Sequence, residues 1–244
     1  MISNTETTLC LVIGANSAIA QSLTHQQLAQ GNRVVAVSRT ALAFSHPHLT
    51  SLVCDNSESD IEAVCARIAH ETDLDKLRYA IIFNGLLHND KISPEKRLEH
   101  INQYQLVQSF QANSITPALW MQHLLPILQQ SSGCHLCCFS ARVGSINDNR
   151  LGGWYSYRAS KAALNMLVKT FAIEYARRAK KVKLVAFHPG TTDTLLSQPF
   201  QKNVSPEALF KPAFVAEQLL ANLAKLPADQ QASYIDWQGK NIDW

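Results

Sequence analysis

Leu9-Cys10-Leu11-Val12-Ile13 is an unbroken apolar run that stops at Gly14. A short run with no polar interruption suits a strand buried on both faces, which is the situation inside a parallel sheet. Gly14-Ala15-Asn16-Ser17-Ala18-Ile19-Ala20 comes next and opens a helical pattern that runs to about Gln30, where Gly31 stops it. Arg33-Val34-Val35-Ala36-Val37-Ser38 is a second strand. Strand, small-residue turn, helix and strand make a βαβ unit with a dinucleotide-binding turn.

The alternation continues. Strands are predicted at Leu52 to Cys54, Tyr79 to Phe83, Cys134 to Ser140 and Val182 to Phe187. Helices are predicted at Ile61 to His70, Gln103 to Leu128, Trp154 to Arg178 and Pro212 to Leu226. Tyr234 to Trp244 reads as a short strand and turn. Alternating strands and helices predict an α/β, Rossmann-type doubly wound parallel sheet. The 244 residues are expected to form one domain, 1–244, with a flap over the substrate at about residues 191–212, within which residues 195–211 hold two prolines and little regular pattern.

Composition excludes several classes. Apolar residues make up 46% of the chain, and the net charge is +3 with both signs interspersed. That balance carries no nucleic-acid or membrane signal. No apolar run reaches the roughly 18 residues of a membrane span. Met1-Ile2-Ser3-Asn4-Thr5-Glu6 lacks a signal-peptide pattern, so a cytoplasmic protein is expected. Cys134, His135, Cys137 and Cys138 have no second Cys/His pair nearby to complete a zinc site. They read as a buried strand in which cysteine acts as a small hydrophobe, and no metal is expected.

The turn after the first strand departs from the spacing Gly-x-x-x-Gly-x-Gly: Gly14 is kept, while Ala18 and Ala20 hold the later places. Gly14 can make the tight turn, and the helix N-terminus offers its unpaired N–H groups to phosphate. Asn16, Ser17, Ala18 and Ile19 would line that site. Arg39 follows the second strand directly, with no Asp or Glu from Ser38 to Thr50. An acid near this place would bind the ribose 2′-hydroxyl of NAD, whereas an arginine can fork onto a 2′-phosphate and favours NADP(H). A solvated arginine at a strand end is the alternative. Asp55 either approaches the adenine amino group or caps a turn. Asn84-Gly85 breaks the fourth strand at the sheet edge that faces a cofactor. His88, in the loop from Leu86 to Ser93, either touches substrate or is an ordinary loop histidine.

Tyr157 and Lys161 stand four residues apart in Trp154-Tyr155-Ser156-Tyr157-Arg158-Ala159-Ser160-Lys161. On a helix this is about one turn, so both share one face. Tyrosine alone is a poor acid at neutral pH, with a reference pKa of about 10. An ammonium one turn away is expected to lower it, letting the phenol pass a proton to or from a carbonyl oxygen.

Taken together, the turn at Gly14, Asn84-Gly85, Asn113, the Ser140 region, Tyr157-x-x-x-Lys161 and Pro189-Gly190 resemble the short-chain dehydrogenase/reductase family in order and spacing over nearly the whole chain. Three finer segments are similar to its C-factor-like branch, which includes sniffer-type carbonyl reductases. They are Arg142-Val143-Gly144-Ser145-Ile146, Gly153 to Asn165, and Asp236-Trp237-x-Gly239. The resemblance implies an NADP(H)-dependent oxidoreductase that interconverts a carbonyl and a secondary alcohol. It implies Tyr157 as proton donor, Lys161 as tuner of the phenol and ligand of the nicotinamide ribose, and Asn113 as holder of a relay water. It also implies Asn84 and Gly85 beside the cofactor, with Thr191, Thr192 or Thr194 on the nicotinamide amide after Pro189-Gly190. A homodimer or homotetramer through the long helices is implied as well.

Two departures stand out. The family's catalytic serine position, three residues before Gly144, is Ala141 here; Ser140 precedes it and Ser145 follows the glycine. Either serine supplies the hydroxyl, with Ser140 the candidate, or none does. Ile82 and Phe83 replace asparagines common in the family. The latter change loosens a structural hydrogen bond more than the chemistry, while Ala18, Ala20 and Ala141 support a second reading, a weakly catalytic nucleotide-binding signalling or scaffold protein of the same fold.

Overall fold

The computed structural model describes residues 7–244, so the signal-free reading of Met1 to Glu6 lies outside the described residues. Its strands are β1 (Leu9–Ile13), β2 (Arg33–Ser38), β3 (Leu49–Val53), β4 (Leu77–Ile82), β5 (Cys134–Phe139), β6 (Val182–His188), β7 (Thr191–Thr192), β8 (Leu209–Phe210) and β9 (Ser233–Asp236). Its α-helices are α1 (Ala18–Ala29), α2 (Glu58–Glu71), α3 (Gln103–Phe110), α4 (Thr116–Leu128), α5 (Tyr155–Arg178) and α6 (Pro212–Leu223).

Every residue of β1 is buried, and its side chains alternate between two cores. Leu9, Leu11 and Ile13 join residues of α2, α4 and α5 on one side, while Cys10 and Val12 join residues of α1 and α6 on the other. Burial on both faces explains why the strand carries no polar residue. The same holds for β5, where Cys134, Leu136 and Cys138 face one core and Cys137 and Phe139 the other. All six cysteines are free and buried, and burial pushes the Cys10 and Cys138 thiols up to about 12.

The seven long strands run parallel in the order β3-β2-β1-β4-β5-β6-β9. The order reverses between β1 and β4. In open sheets of this kind, ligands bind in the crevice beyond the carboxyl ends of the strands at such a reversal. Gly14 follows β1 directly, and Asn84 stands one residue, Phe83, beyond the end of β4.

Several boundaries differ from the sequence reading. β3 begins at Leu49, ahead of the Leu52 start, because this edge strand is half exposed and lacks a continuous apolar run. The pattern read as one helix from Gln103 to Leu128 is α3 and α4 joined by a π-helical turn at Gln111–Ile115. The segment read as irregular contains 3-10 turns at Gln198–Asn203 and Pro206–Ala208, and β7 pairs with β8. No helix among the described residues is long and apolar enough to cross a membrane.

Candidate active site

One groove runs over the carboxyl ends of the strands. Its two halves share Asn16, Ser17, Phe83, Asn84 and Gly85; the broader half has a volume of about 1130 Å³ and the other about 650 Å³. Gly14, Arg39 and Asp55 line the broader half. Ala18, Ile19, Ser140, Tyr157, Lys161, Pro189, Gly190, Thr192 and Thr194 line the other. The fold therefore gathers into one groove every site residue read from the sequence except Asn113, which lies beneath it, and the alternative serine Ser145, which lines neither half.

The turn at Gly14 is built by backbone bonds. Gly14 has φ +81°, and the N–H groups of Gly14 and Ala15 both donate to the Val37 carbonyl at 2.9 Å. A Cβ at Gly14 would stand 3.3 Å from Phe83 Cβ, so glycine is needed both for the dihedral and for the close approach of β4. Ser17 caps α1 by accepting the Ala20 N–H at 3.3 Å. The Ala20 methyl is packed in the core, where helix meets strand, and Ala18 is exposed on the groove. Asn16 Nδ2 donates to Thr40 Oγ1 at 2.7 Å, which ties this turn to the segment after β2. Arg39 is exposed beside it and has no ion pair among the described residues. Asp55 is a turn cap: it accepts the Ser57 N–H at 2.7 Å, and hydrogen bonds to Ser57 hold its carboxyl below the usual range.

Three buried polar atoms on the groove have no hydrogen-bond partner: Asn84 Oδ1, His188 Nδ1 and Thr192 Oγ1. Leaving such groups unpaired costs about 1–3 kcal/mol each. Together with a helix N-terminus at Ser17 they fit a ligand that carries phosphates and an amide, as a nicotinamide dinucleotide does. Burial, then the Arg142 charge, hold the His188 imidazole down at about 4, so it is neutral near pH 7. Nothing in the sequence reading singled out His188 beyond its place before Pro189.

Tyr157 and Lys161 share a face of α5, as their spacing predicts. Lys161 is 2% exposed; its Nζ lies 6.0 Å from the Tyr157 ring centroid and donates to the Phe139 carbonyl at 2.8 Å. The expectation that Lys161 depresses the Tyr157 pKa is corrected here. Burial pushes the phenol above its ordinary value, with Tyr234 adding in the same direction, and burial brings Lys161 down to about 8. Desolvation disfavours both charged forms, and at this separation it outweighs the attraction between them.

Asn113 sits in the π-helical turn, a feature that often marks functional sites. It is fully buried: Oδ1 accepts the Leu86 N–H at 2.6 Å, while Nδ2 donates to the Leu86 carbonyl at 2.9 Å and to Ser160 Oγ at 3.0 Å. Asn113 thus pins the loop after Gly85 to α5. Its amide hydrogens are both used within the protein.

Ser140 lines the groove, but its hydroxyl donates to Asn165 Oδ1 at 2.6 Å. Ser145 is buried and accepts the Asp148 N–H at 3.2 Å. Neither hydroxyl is directed to Tyr157. Ala141 is extended (φ −151°, ψ 140°), so its side chain and that of Ser140 point opposite ways. It is Ala141 that packs with Tyr157 and Leu87. The assignment of Ser140 as the catalytic hydroxyl is therefore corrected.

Apolar groups form the wall beside Tyr157. Trp154 and Phe200 rings lie 5.1 Å apart, with Val143 and Leu87 alongside. His88 Nε2 meets the Leu195 carbonyl at 3.0 Å, and its ring stands edge-on to Phe200 at 5.6 Å, so this loop residue touches the flap. Phe200 was not legible in sequence, since its segment has no periodicity.

A family model described as short chain dehydrogenase matches residues 8–205. Among known proteins, the chain is 27% identical over 238 residues to the 1-hydroxy-2-glutathionyl-2-methyl-3-butene dehydrogenase of Rhodococcus sp. (strain AD45), covering 96% of this chain and 98% of that one. Among solved structures it is similar to the carbonyl reductase Sniffer of D. melanogaster, with a TM-score of 0.83 at 20% identity over 98% and 99% of the two chains. It is likewise similar to an NADPH-bound carbonyl reductase from chicken fatty liver, with a TM-score of 0.80 at 24% identity over 97% and 98%. At those identities the two structures speak for the fold alone.

Proposed function

The chain belongs to the short-chain dehydrogenase family, and from that premise we propose that it is an NADP(H)-dependent oxidoreductase interconverting a carbonyl compound and a secondary alcohol. The observation that carries this reading is one continuous groove with Arg39 at one end and Tyr157 with Lys161 at the other. The nicotinamide, when bound, supplies or accepts the hydride. Asn84, His188 and Thr192 would satisfy their unpaired atoms on it, and Arg39 would hold a 2′-phosphate.

The protein's own task is the proton. A buried Tyr157 phenol keeps its proton near neutral pH and can hand it to a carbonyl oxygen that gains negative charge. Lys161, still largely cationic below about pH 8, stabilises the phenolate this leaves. Asn113 keeps the Leu86 loop and α5 in register while this happens. The Ala141 methyl offers no hydrogen bond to the substrate oxygen, so turnover is expected to be slow. The wall of Leu87, Val143, Trp154 and Phe200 favours a carbonyl with apolar substituents.

Assembly is part of the reading. Tyr104 and Val107 on α3 and Met166 and Ile173 on α5 are 50%, 53%, 63% and 57% exposed, an apolar stripe suited to a second copy. Light scattering at working concentration tests for a dimer or tetramer. Six free buried thiols suit the reducing cytoplasm.

Fluorescence titration with NADPH and NADH tests the cofactor, and a carbonyl panel with Tyr157→Phe tests the chemistry. Tight NADPH, weak NADH and loss of reduction in Tyr157→Phe are expected. NADPH binding without turnover by the wild type would transfer support to the signalling or scaffold reading, which the missing hydroxyl at Ala141 favours.

A further inference from the structure

Glu95 lies in the loop between β4 and α3, far in sequence from α5, and is 1% exposed. Its two carboxylate oxygens accept the Ser156 N–H at 3.3 and 3.2 Å, and the Ser156 hydroxyl donates to the same group. Its main-chain carbonyl accepts the Trp154 N–H at 2.6 Å. One residue therefore takes three donors at the start of the helix that carries Tyr157.

That helix has no cap of its own. Trp154 stands at its N-cap position without a side-chain bond to the first turn, and no acid lies in that turn. First-turn N–H groups lack intrahelical partners, and a carboxylate is favoured beside them. Trp154 is also left-handed (φ 52°, ψ 42°), a conformation that non-glycine residues seldom adopt and that must be held by its surroundings. The Glu95 carbonyl holds it from one side. Arg158 Nε, bonded to the Gly153 carbonyl at 3.0 Å, holds the neighbouring peptide from the other. In this state the indole stands 6.2 Å from the Tyr157 ring and 5.1 Å from Phe200.

We propose that Glu95 is a positioning residue for the reaction: through Ser156 and Trp154 it sets where the Tyr157 phenol and the Trp154 wall stand in the groove. This role rests on the reductase reading of the groove. Ser156 immediately precedes Tyr157, so a shift of the first turn moves the phenol with it. A misplacement of about 1 Å at a reacting group can cost on the order of 10²-fold in rate. A cap that served stability alone would leave turnover untouched.

The test uses the full chain with Glu95→Ala and Glu95→Gln, each saturated with NADPH. It measures kcat for a ketone that the wild type reduces, the NADPH Kd, and hydrogen exchange of the amides from Trp154 to Tyr157. Glu95→Ala is expected to exchange those amides roughly tenfold faster and to lose roughly tenfold or more in kcat, with Kd changed less than about twofold. Glu95→Gln keeps an oxygen that can accept from Ser156 and recovers most of kcat. Unchanged exchange in Glu95→Ala, or faster exchange with kcat unchanged, overturns the proposal. Should Glu95→Ala fail to fold, Ser156→Ala removes the hydroxyl donor alone and is judged by the same two readouts. A folded wild type that reduces no ketone would overturn the reductase reading and the positioning role with it, whereas a wild type that reduces the ketone while Glu95→Ala keeps its kcat would overturn the positioning role alone.

Discussion

Lys161 Nζ donates to the Phe139 carbonyl across 2.8 Å, at the point where β5 meets α5. The bond places a cation where almost no water reaches it. Burial lowers Lys161 from 10.5 to about 8. At about 1.4 kcal/mol per pH unit, that makes the buried ammonium cost on the order of 3 kcal/mol near neutral pH. The unfolded chain binds the extra proton between pH 8 and 10.5, so this cost is full below pH 8 and disappears as pH rises through that window. Lys161→Met is therefore expected to raise Tm at pH 7 while abolishing carbonyl reduction, and its stability advantage should shrink by pH 10. Calorimetry at the two pH values checks this; a lower Tm at pH 7 would show that the Phe139 bond outweighs the burial cost.

The same group sets a pH dependence. Lys161 is charged below about pH 8 and neutral above it, whereas burial keeps the Tyr157 phenol protonated across that range. Reduction with NADPH is expected to hold a plateau below pH 8 and decline above it. A kcat/KM profile that rises through pH 8 would remove the Lys161 charge from the mechanism.

Ala141 packs against Tyr157 where a hydroxyl would serve the substrate oxygen. The main chain is already held, since its carbonyl accepts Tyr234 Oη at 2.7 Å and the preceding Ser140 N–H donates to Phe187 at 2.8 Å. Ala141→Ser is expected to raise kcat by at least about tenfold, with an upper bound near the 10²–10³ associated with one such donor. Steady-state kinetics on one ketone suffice. An unchanged rate would mean that the new hydroxyl bonds elsewhere.

Gly144 brings the β5–α5 loop against α5, the helix that carries Tyr157 and Lys161. A Cβ there would stand 2.8 Å from both the main-chain carbon and the Cβ of Lys161. Backbone cannot yield as a flexible side chain can, so Gly144→Ala is expected to destabilise by roughly 1–3 kcal/mol, in line with other overpacked sites. It should also lower kcat by moving Lys161. Denaturant unfolding together with kinetics reads both; a stable variant with full activity would show that the loop can lift away.

Much of this site was legible in sequence because its signals are local. Gly14, Arg39, Tyr157 and Lys161 lie beside strand ends or one helical turn apart, where spacing alone fixes which face or edge a residue occupies. The weaker signals failed for a stated reason each. Edge strand β3 is half exposed and lost its start, and the π-helical turn around Asn113 leaves the apolar pattern of a continuous helix intact. Ser140 adjoins Ala141 in sequence, yet in extended backbone it is Ala141 that takes the face beside Tyr157.

From its sequence alone, the protein was bound to a parallel α/β sheet with a dinucleotide-type turn and a Tyr-Lys pair on one helix, because hydrophobic periodicity and turn residues act over a few positions. Only the tertiary structure decided what these groups can do. The rise of the Tyr157 pKa and the fall of Lys161 come from desolvation by elements distant in the chain. The cap on α5 comes from Glu95, 61 residues before Ser156. Burial and contact between remote segments depend on how the whole chain packs, and no window of neighbouring residues records them.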